Sequence, residues 1–175
     1  GGHNGREETT TLVLVPEVCR KVTIPVIAAG GIATGRAMYA TMALGAEGVQ
    51  MGSRFIATEE ATVHPLFKEE VLKAQEGDTV LTLKELSPVR LLKNAFYEQV
   101  EALYQQREAT PENLKQLLGK GRTKLGMYEG DLLEGELEIG QVSSLIQDIK
   151  AVKEVFEEVL EEFQQTNLLM NQLIN

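Results

Sequence analysis

Three groups of residues in this 175-residue chain have the types and spacing to do chemistry. The first is Gly30-Gly31-Ile32-Ala33-Thr34-Gly35, which follows an apolar run and opens a helical pattern. Glycine lets a backbone approach a ligand closely, and a helix start offers unpaired N–H groups and a positive dipole end. Together these make a phosphate cradle, although a lone Gly-Gly fits a ligand-free tight turn better. The second group is Gln50-Met51-Gly52-Ser53-Arg54. It adds a glycine, a hydroxyl donor and a cation, the last equally readable as half of a surface ion pair. The third is His3, whose neighbours Gly1, Gly2 and Gly5 leave it free to project from a loop. An imidazole exchanges protons near neutral pH, which suits abstraction of an acidic C–H proton.

The elements that must position these groups follow from periodicity. Residues 9–13 lead into a short helix with Pro16 expected in its first turn, where a missing N–H costs little. The run Ile24-Pro25-Val26-Ile27-Ala28-Ala29 reads as a strand buried on both faces. Thr34 is placed to cap a helix that runs to about Leu44 and stops at Gly45. Gly48 to Gly52 is a second short strand, with Gln50 and Gly52 on one face. Helix, strand, glycine loop, helix, strand, glycine loop is βα alternation with parallel strands, and the right-handed crossover puts both loops at one end of the sheet. In (β/α) barrels, the loops after strands 7 and 8 frequently hold a phosphate there.

Beyond residue 58 the pattern changes. Pro65–Ala74, Pro88–Gln106 and Pro111–Leu118 read as helices, and Thr79–Thr82 as an isolated strand. Gly119 to Gly140 contains six glycines and reads as a long irregular loop. A long amphipathic helix is expected from Gln141 to about Gln165. Val142, Leu145, Ile146, Ile149, Val152, Phe156, Val159, Leu160 and Phe163 form its core or docking stripe. His64, at a helix entry, and Cys19, on a helix with no CxxC partner, read as structural.

Composition narrows the classes. The net charge of −9 resides in residues 127–165, which carry eleven acids against two bases and read as a solvated helix face. No basic patch exists to neutralise nucleic-acid phosphates, and no basic amphipathic surface suits a membrane. No apolar stretch approaches the roughly 18 residues of a membrane helix. The single Cys19 allows no internal disulfide, which suits a reducing, cytoplasmic setting. The acidic residues lack metal-ligand spacing, so no metal is expected. A small-molecule partner is the default.

At these residues the chain resembles a known family. Gly1-Gly2-His3-Asn4-Gly5 with Thr9-Thr10-Thr11, then Pro25 to Ile32, then Gly45 to Phe55, in this order and spacing, are similar to the nitronate monooxygenase family, formerly 2-nitropropane dioxygenase. That family includes closely similar FMN-dependent enoyl-ACP reductases. Gly140-Gln141-Val142-Ser143-Ser144-Leu145-Ile146 resembles a segment near the family's C-terminus.

The resemblance implies an α/β fold: the C-terminal part (strands 7 and 8) of an FMN-binding (β/α)8 TIM barrel, with a mostly helical second domain. It divides the chain into residues 1–62 of the barrel, 63–139 of the second domain with its glycine-rich loop, and 140–175 as a C-terminal amphipathic helix. It implies that Gly1 lines the flavin site, that Gly30, Gly31, Gln50, Met51, Gly52 and Ser53 hold the FMN phosphate and ribityl end, and that His3 is the active-site base or substrate-orienting residue. The implied reaction oxidises an alkyl nitronate with O2 to a carbonyl compound and nitrite. The alternatives are reduction of an enoyl thioester in fatty-acid synthesis and a non-catalytic barrel fragment. A homo-oligomer is compatible with all of these. An aldolase or sugar-phosphate isomerase barrel should carry a Schiff-base lysine or paired carboxylates at the strand ends, and residues 24–56 carry neither. A complete barrel usually takes about 250 residues. This stretch is therefore expected to lack strands 1–6 and, by itself, to bind FMN poorly and be inactive.

Overall fold

A computed structural model describes residues 9–174. The chain divides into two compact units, residues 9–61 with 148–174, and residues 62–147.

The first unit is built from βα alternation. Helix α1 spans Thr11–Cys19, strand β1 Ile27–Ala29, helix α2 Gly35–Ala43, strand β2 Gly48–Gln50, and the short helix α3 Ser53–Ile56. The two strands pair in parallel, Ile27 with Gly48, Ala28 with Val49 and Ala29 with Gln50. Helix α2 starts where the sequence says it should, since the Thr34 hydroxyl accepts the N–H of Ala37 at 3.1 Å. Pro16 departs from expectation. It lies inside α1, not in the first turn. It removes the hydrogen bond that would run to the carbonyl of Leu12, a residue that is itself 69% exposed.

The expectation that β1 is buried on both faces is also corrected. Ala28 lies in a core with Val15, Ile32 and Ala46, against which Val49 and Met51 also pack. Ile27 on the other face is 56% exposed. Two strands have only the α1 and α2 side to pack against, so the period of two leaves Ile27, Ala29, Gly48 and Gln50 together on an uncovered face. The Ile27 side chain lies over Gly48, where an added Cβ would come within 3.0 Å of its Cδ1.

The first unit closes with helix α7, Val152–Ile174. The sequence places a helix from Gln141. Instead, Gln141–Leu145 is a 3-10 turn and α7 begins eleven residues later. Its buried stripe matches the expected one at Val159 and departs from it elsewhere. Val155, Val159 and Thr166 are buried, whereas Phe156 and Leu160 of the expected stripe are exposed.

The second unit holds helix α4 (Pro65–Lys73), strands β3 (Thr79–Thr82) and β4 (Val89–Leu92), and helices α5 (Ala95–Gln105) and α6 (Pro111–Leu118). Strand β3 is not isolated. It pairs antiparallel with β4, Thr79 opposite Leu92 through Thr82 opposite Val89. The helix expected from Pro88 therefore starts only at Ala95, with Asn94 Oδ1 accepting the N–H of Tyr97 at 3.0 Å. Pro88 fits just before a strand as well as before a helix, which is why it misleads. Leu83, Val89, Leu91, Phe96, Val100 and Leu114 form this unit's core. The glycine-rich segment is not wholly irregular, as Lys124–Tyr128 makes a π-helical turn. His64 is structural, as expected: its Nδ1 accepts the N–H of Leu66 at 3.2 Å and caps α4.

Candidate functional site

The parallel register puts the ends of β1 and β2 side by side, so the loops that follow them, Gly30–Gly31 and Met51–Ser53, lie at the same end of the sheet. Both Gly30 and Gly31 take positive φ, 95° and 74°, a conformation that β-carbon-bearing residues rarely adopt. The Thr11 hydroxyl donates to the Gly30 carbonyl at 3.3 Å. A planar trans peptide sets C=O and N–H in opposite directions. Tying that carbonyl toward α1 therefore turns the Gly31 N–H away from α1.

Both loops border open space. A Cβ added at Gly31 or at Gly52 would meet nothing within 4 Å. Gln50 is exposed on the same sheet face as Ile27 and Ala29. Ser53 opens α3 and is half-buried. Met51 differs from its neighbours, because its side chain packs on the opposite face against the Ala28 core. The structure thus brings together Gly30, Gly31, Gln50, Gly52 and Ser53. Gly1 and His3 lie outside the described residues.

The start of α2 is not the open anion site that the sequence suggests. The N–H groups of Gly35 and Arg36 donate to Glu162 Oε2 at 2.7 and 3.3 Å. With Thr34 holding Ala37, the first turn of α2 is satisfied from within the protein. A Cβ on Gly35 would lie 2.1 Å from the Val159 carbonyl oxygen. Helix α7 thus rests directly on the end of α2.

Arg54 resolves in favour of an ion pair, a buried one. Its side chain is 8% exposed, and the guanidinium contacts Asp148, Nη2 to Oδ1 at 2.7 Å. Nη1 also donates to the Asp148 carbonyl at 3.2 Å. Burial pushes the Asp148 carboxyl upward, but the Lys150 hydrogen bond and the Arg54 and Lys150 charges outweigh it and leave it below its ordinary value. Sequence reasoning missed Asp148 and Glu162. Both sit in the acidic segment read as a solvated face, and no local pattern singles them out.

Comparison with known proteins adds to this geometry. The family model described as nitronate monooxygenase matches residues 1–162. A probable nitronate monooxygenase of Staphylococcus saprophyticus is 41% identical over 106 residues, covering 55% of this chain and 30% of that protein. Among solved structures, FabK from Thermotoga maritima superposes with a TM-score of 0.90 at 44% identity, covering 99% of this chain and 54% of that one. Nitroalkane oxidase from Streptomyces ansochromogenes superposes with a TM-score of 0.76 at 25% identity, covering 97% and 50%. The chain therefore spans about half the length of these solved relatives, and its alignment spans less than a third of the Staphylococcus protein.

Proposed function

The chain belongs to the nitronate monooxygenase family, and we propose that it forms strands 7 and 8 and the following domain of a TIM-barrel, FMN-dependent oxidoreductase. The observation that carries this is the pair of glycine loops at neighbouring parallel strand ends, with Gly31 and Gly52 both facing open space. A short extra helix beyond strand 8, here α3, frequently completes such a phosphate site.

The residues present fit the phosphate and ribityl end of FMN. The Gly30–Gly31 and Gly52–Ser53 backbones have room for a phosphate to approach, and Ser53 adds a hydroxyl. Met51 contributes backbone only, and Gln50 extends over the uncovered sheet face. When bound, FMN would supply the redox chemistry between the substrate, as electron donor, and O2, as final acceptor. By resemblance to the family, His3 is assigned the role of active-site base or substrate-orienting residue, and Gly1 is assigned to the flavin site. The products are a carbonyl compound and nitrite.

A second reading, reduction of an enoyl thioester, stays beside it. Its support is the higher identity to FabK, 44%, than to the nitroalkane oxidase, 25%.

The test uses the full-length protein. It should take up FMN and show flavin absorbance, and His3→Ala should abolish nitronate turnover while FMN stays bound. Absence of FMN uptake overturns the flavoenzyme reading. Unchanged turnover in His3→Ala removes the role given to His3. Enoyl-thioester reduction without nitronate oxidation selects the second reading.

A further inference from the structure

Each glycine loop leads into a helix that is held by one carboxylate of the same C-terminal segment. Glu162 accepts the first two N–H groups of α2, which begins four residues after Gly31. Asp148 holds the guanidinium of Arg54, the residue after Ser53. Between the two carboxylates runs α7, fixed at its start. The Glu60 carboxylate accepts the N–H of Val152 at 3.0 and 2.9 Å from its two oxygens. Glu59 N–H donates to the Lys150 carbonyl at 3.0 Å, and Thr58 bridges Lys150. The contact at Gly35 fixes α7 again further along, where Val159 and Phe163 backbone atoms leave no room for a Cβ. A helix rises about 1.5 Å per residue and does not stretch.

We propose that Asp148 and Glu162 are positioning residues for the phosphate cradle, with α7 as the rigid spacer that sets how far apart the Gly30–Gly31 and Gly52–Ser53 loops stand. This rests on the cradle proposed above. Neither carboxylate touches the ligand. Glu162 fills the start of α2, so an incoming phosphate is left to the loop glycines and Ser53. Asp148 neutralises Arg54 and turns it away into the protein. The cradle's affinity is thus governed by residues 94 and 127 positions away in sequence from the groups they hold.

Binding of FMN and of riboflavin, which lacks the phosphate, separates positioning from general stability. In the full-length protein, Glu162→Ala and Asp148→Ala should weaken FMN binding roughly tenfold, the scale of one lost charged hydrogen bond. Riboflavin binding should change little. Glu162→Gln, whose amide oxygen still accepts the two N–H groups, should restore most of the FMN affinity. Should the alanine variants fail to fold, Glu162→Gln and Asp148→Asn still report through the phosphorus resonance of bound FMN, which should move from its wild-type position in Asp148→Asn. Parallel loss of FMN and riboflavin, or no change in either, overturns the proposal. A wild-type protein that binds neither flavin overturns the cradle itself, a different and separable result.

Discussion

The N–H of Gly35 donates to the carboxylate of Glu162 at 2.7 Å, and the hydrogen that stands for a side chain at Gly35 faces the α7 backbone. In an exposed helix, Gly→Ala stabilises by about 1 kcal/mol. Here the sign reverses. The new methyl would lie 2.1 Å from Val159 O and 2.4 Å from Phe163 N, both main-chain atoms that no rotamer change can move. Gly35→Ala should destabilise by about 3 kcal/mol or more, read as a lower urea midpoint. A neutral or stabilised variant would show that α7 does not rest on α2.

Helix α7 offers a test of its own register. Val155 is 1% exposed and Phe156 54% exposed. Val155→Ala should cost about 2 kcal/mol through the cavity it leaves. Phe156→Ala should cost less than about 1 kcal/mol, because its chief partner is one tilted ring, Phe55, with centroids 5.2 Å apart. Equal costs, or the reverse order in thermal melts, would restore the stripe expected from sequence.

Asp148 gives a pH dependence of defined sign. Its folded carboxyl lies below the ordinary 3.8. Its contribution is therefore complete above that value and is lost as pH falls through the lower folded one. Asp148→Asn should be less stable than wild type at neutral pH, and the difference should close in strong acid. A gap that persists at low pH would place the stabilisation elsewhere.

Tyr104 behaves in the opposite direction. Burial, together with its hydrogen bond to Glu85, pushes its phenol up from 10.0 to about 12. The folded state favours the neutral phenol, so its contribution holds below pH 10 and is lost as pH rises toward 12. In an ultraviolet titration of the four tyrosines, Tyr104 should ionise last, and Tyr104→Phe should remove that late step. A titration unchanged by the substitution would deny the shift.

Gly52 separates ligand space from stability. A Cβ there meets nothing within 4 Å, and its φ of −101° suits any residue. Gly52→Ala should change stability by less than about 1 kcal/mol. If the open space is the phosphate site, the full-length variant should retain less FMN through gel filtration. Full retention would move the phosphate away from Gly52.

What could be read from sequence is what is local. Thr34 caps α2 from one residue before its start, and the apolar run before Gly30 becomes β1 with its glycine turn. These depend on neighbours within a few positions, so periodicity and turn chemistry expose them. Val89–Leu92 was hidden because Pro88 signals a helix start and a strand start alike, and only pairing with Thr79–Thr82 chose between them. The α7 stripe was legible in part: Val159 is buried as expected, but Val155 and not Phe156 lies buried beside it. Both stand at helical spacing from Val159, four and three residues away, and packing of the helix selected the first.

By itself, then, the sequence determined the βα alternation, the two glycine loops and the family, since each is carried by residues adjacent in the chain. Only the tertiary structure decided that Glu162 fills the start of α2 and that Arg54 turns inward to Asp148. The reason is distance along the chain. A carboxylate finds a backbone N–H 127 residues away only after the helices between have packed, and nothing in the spacing of acidic residues says which one will arrive.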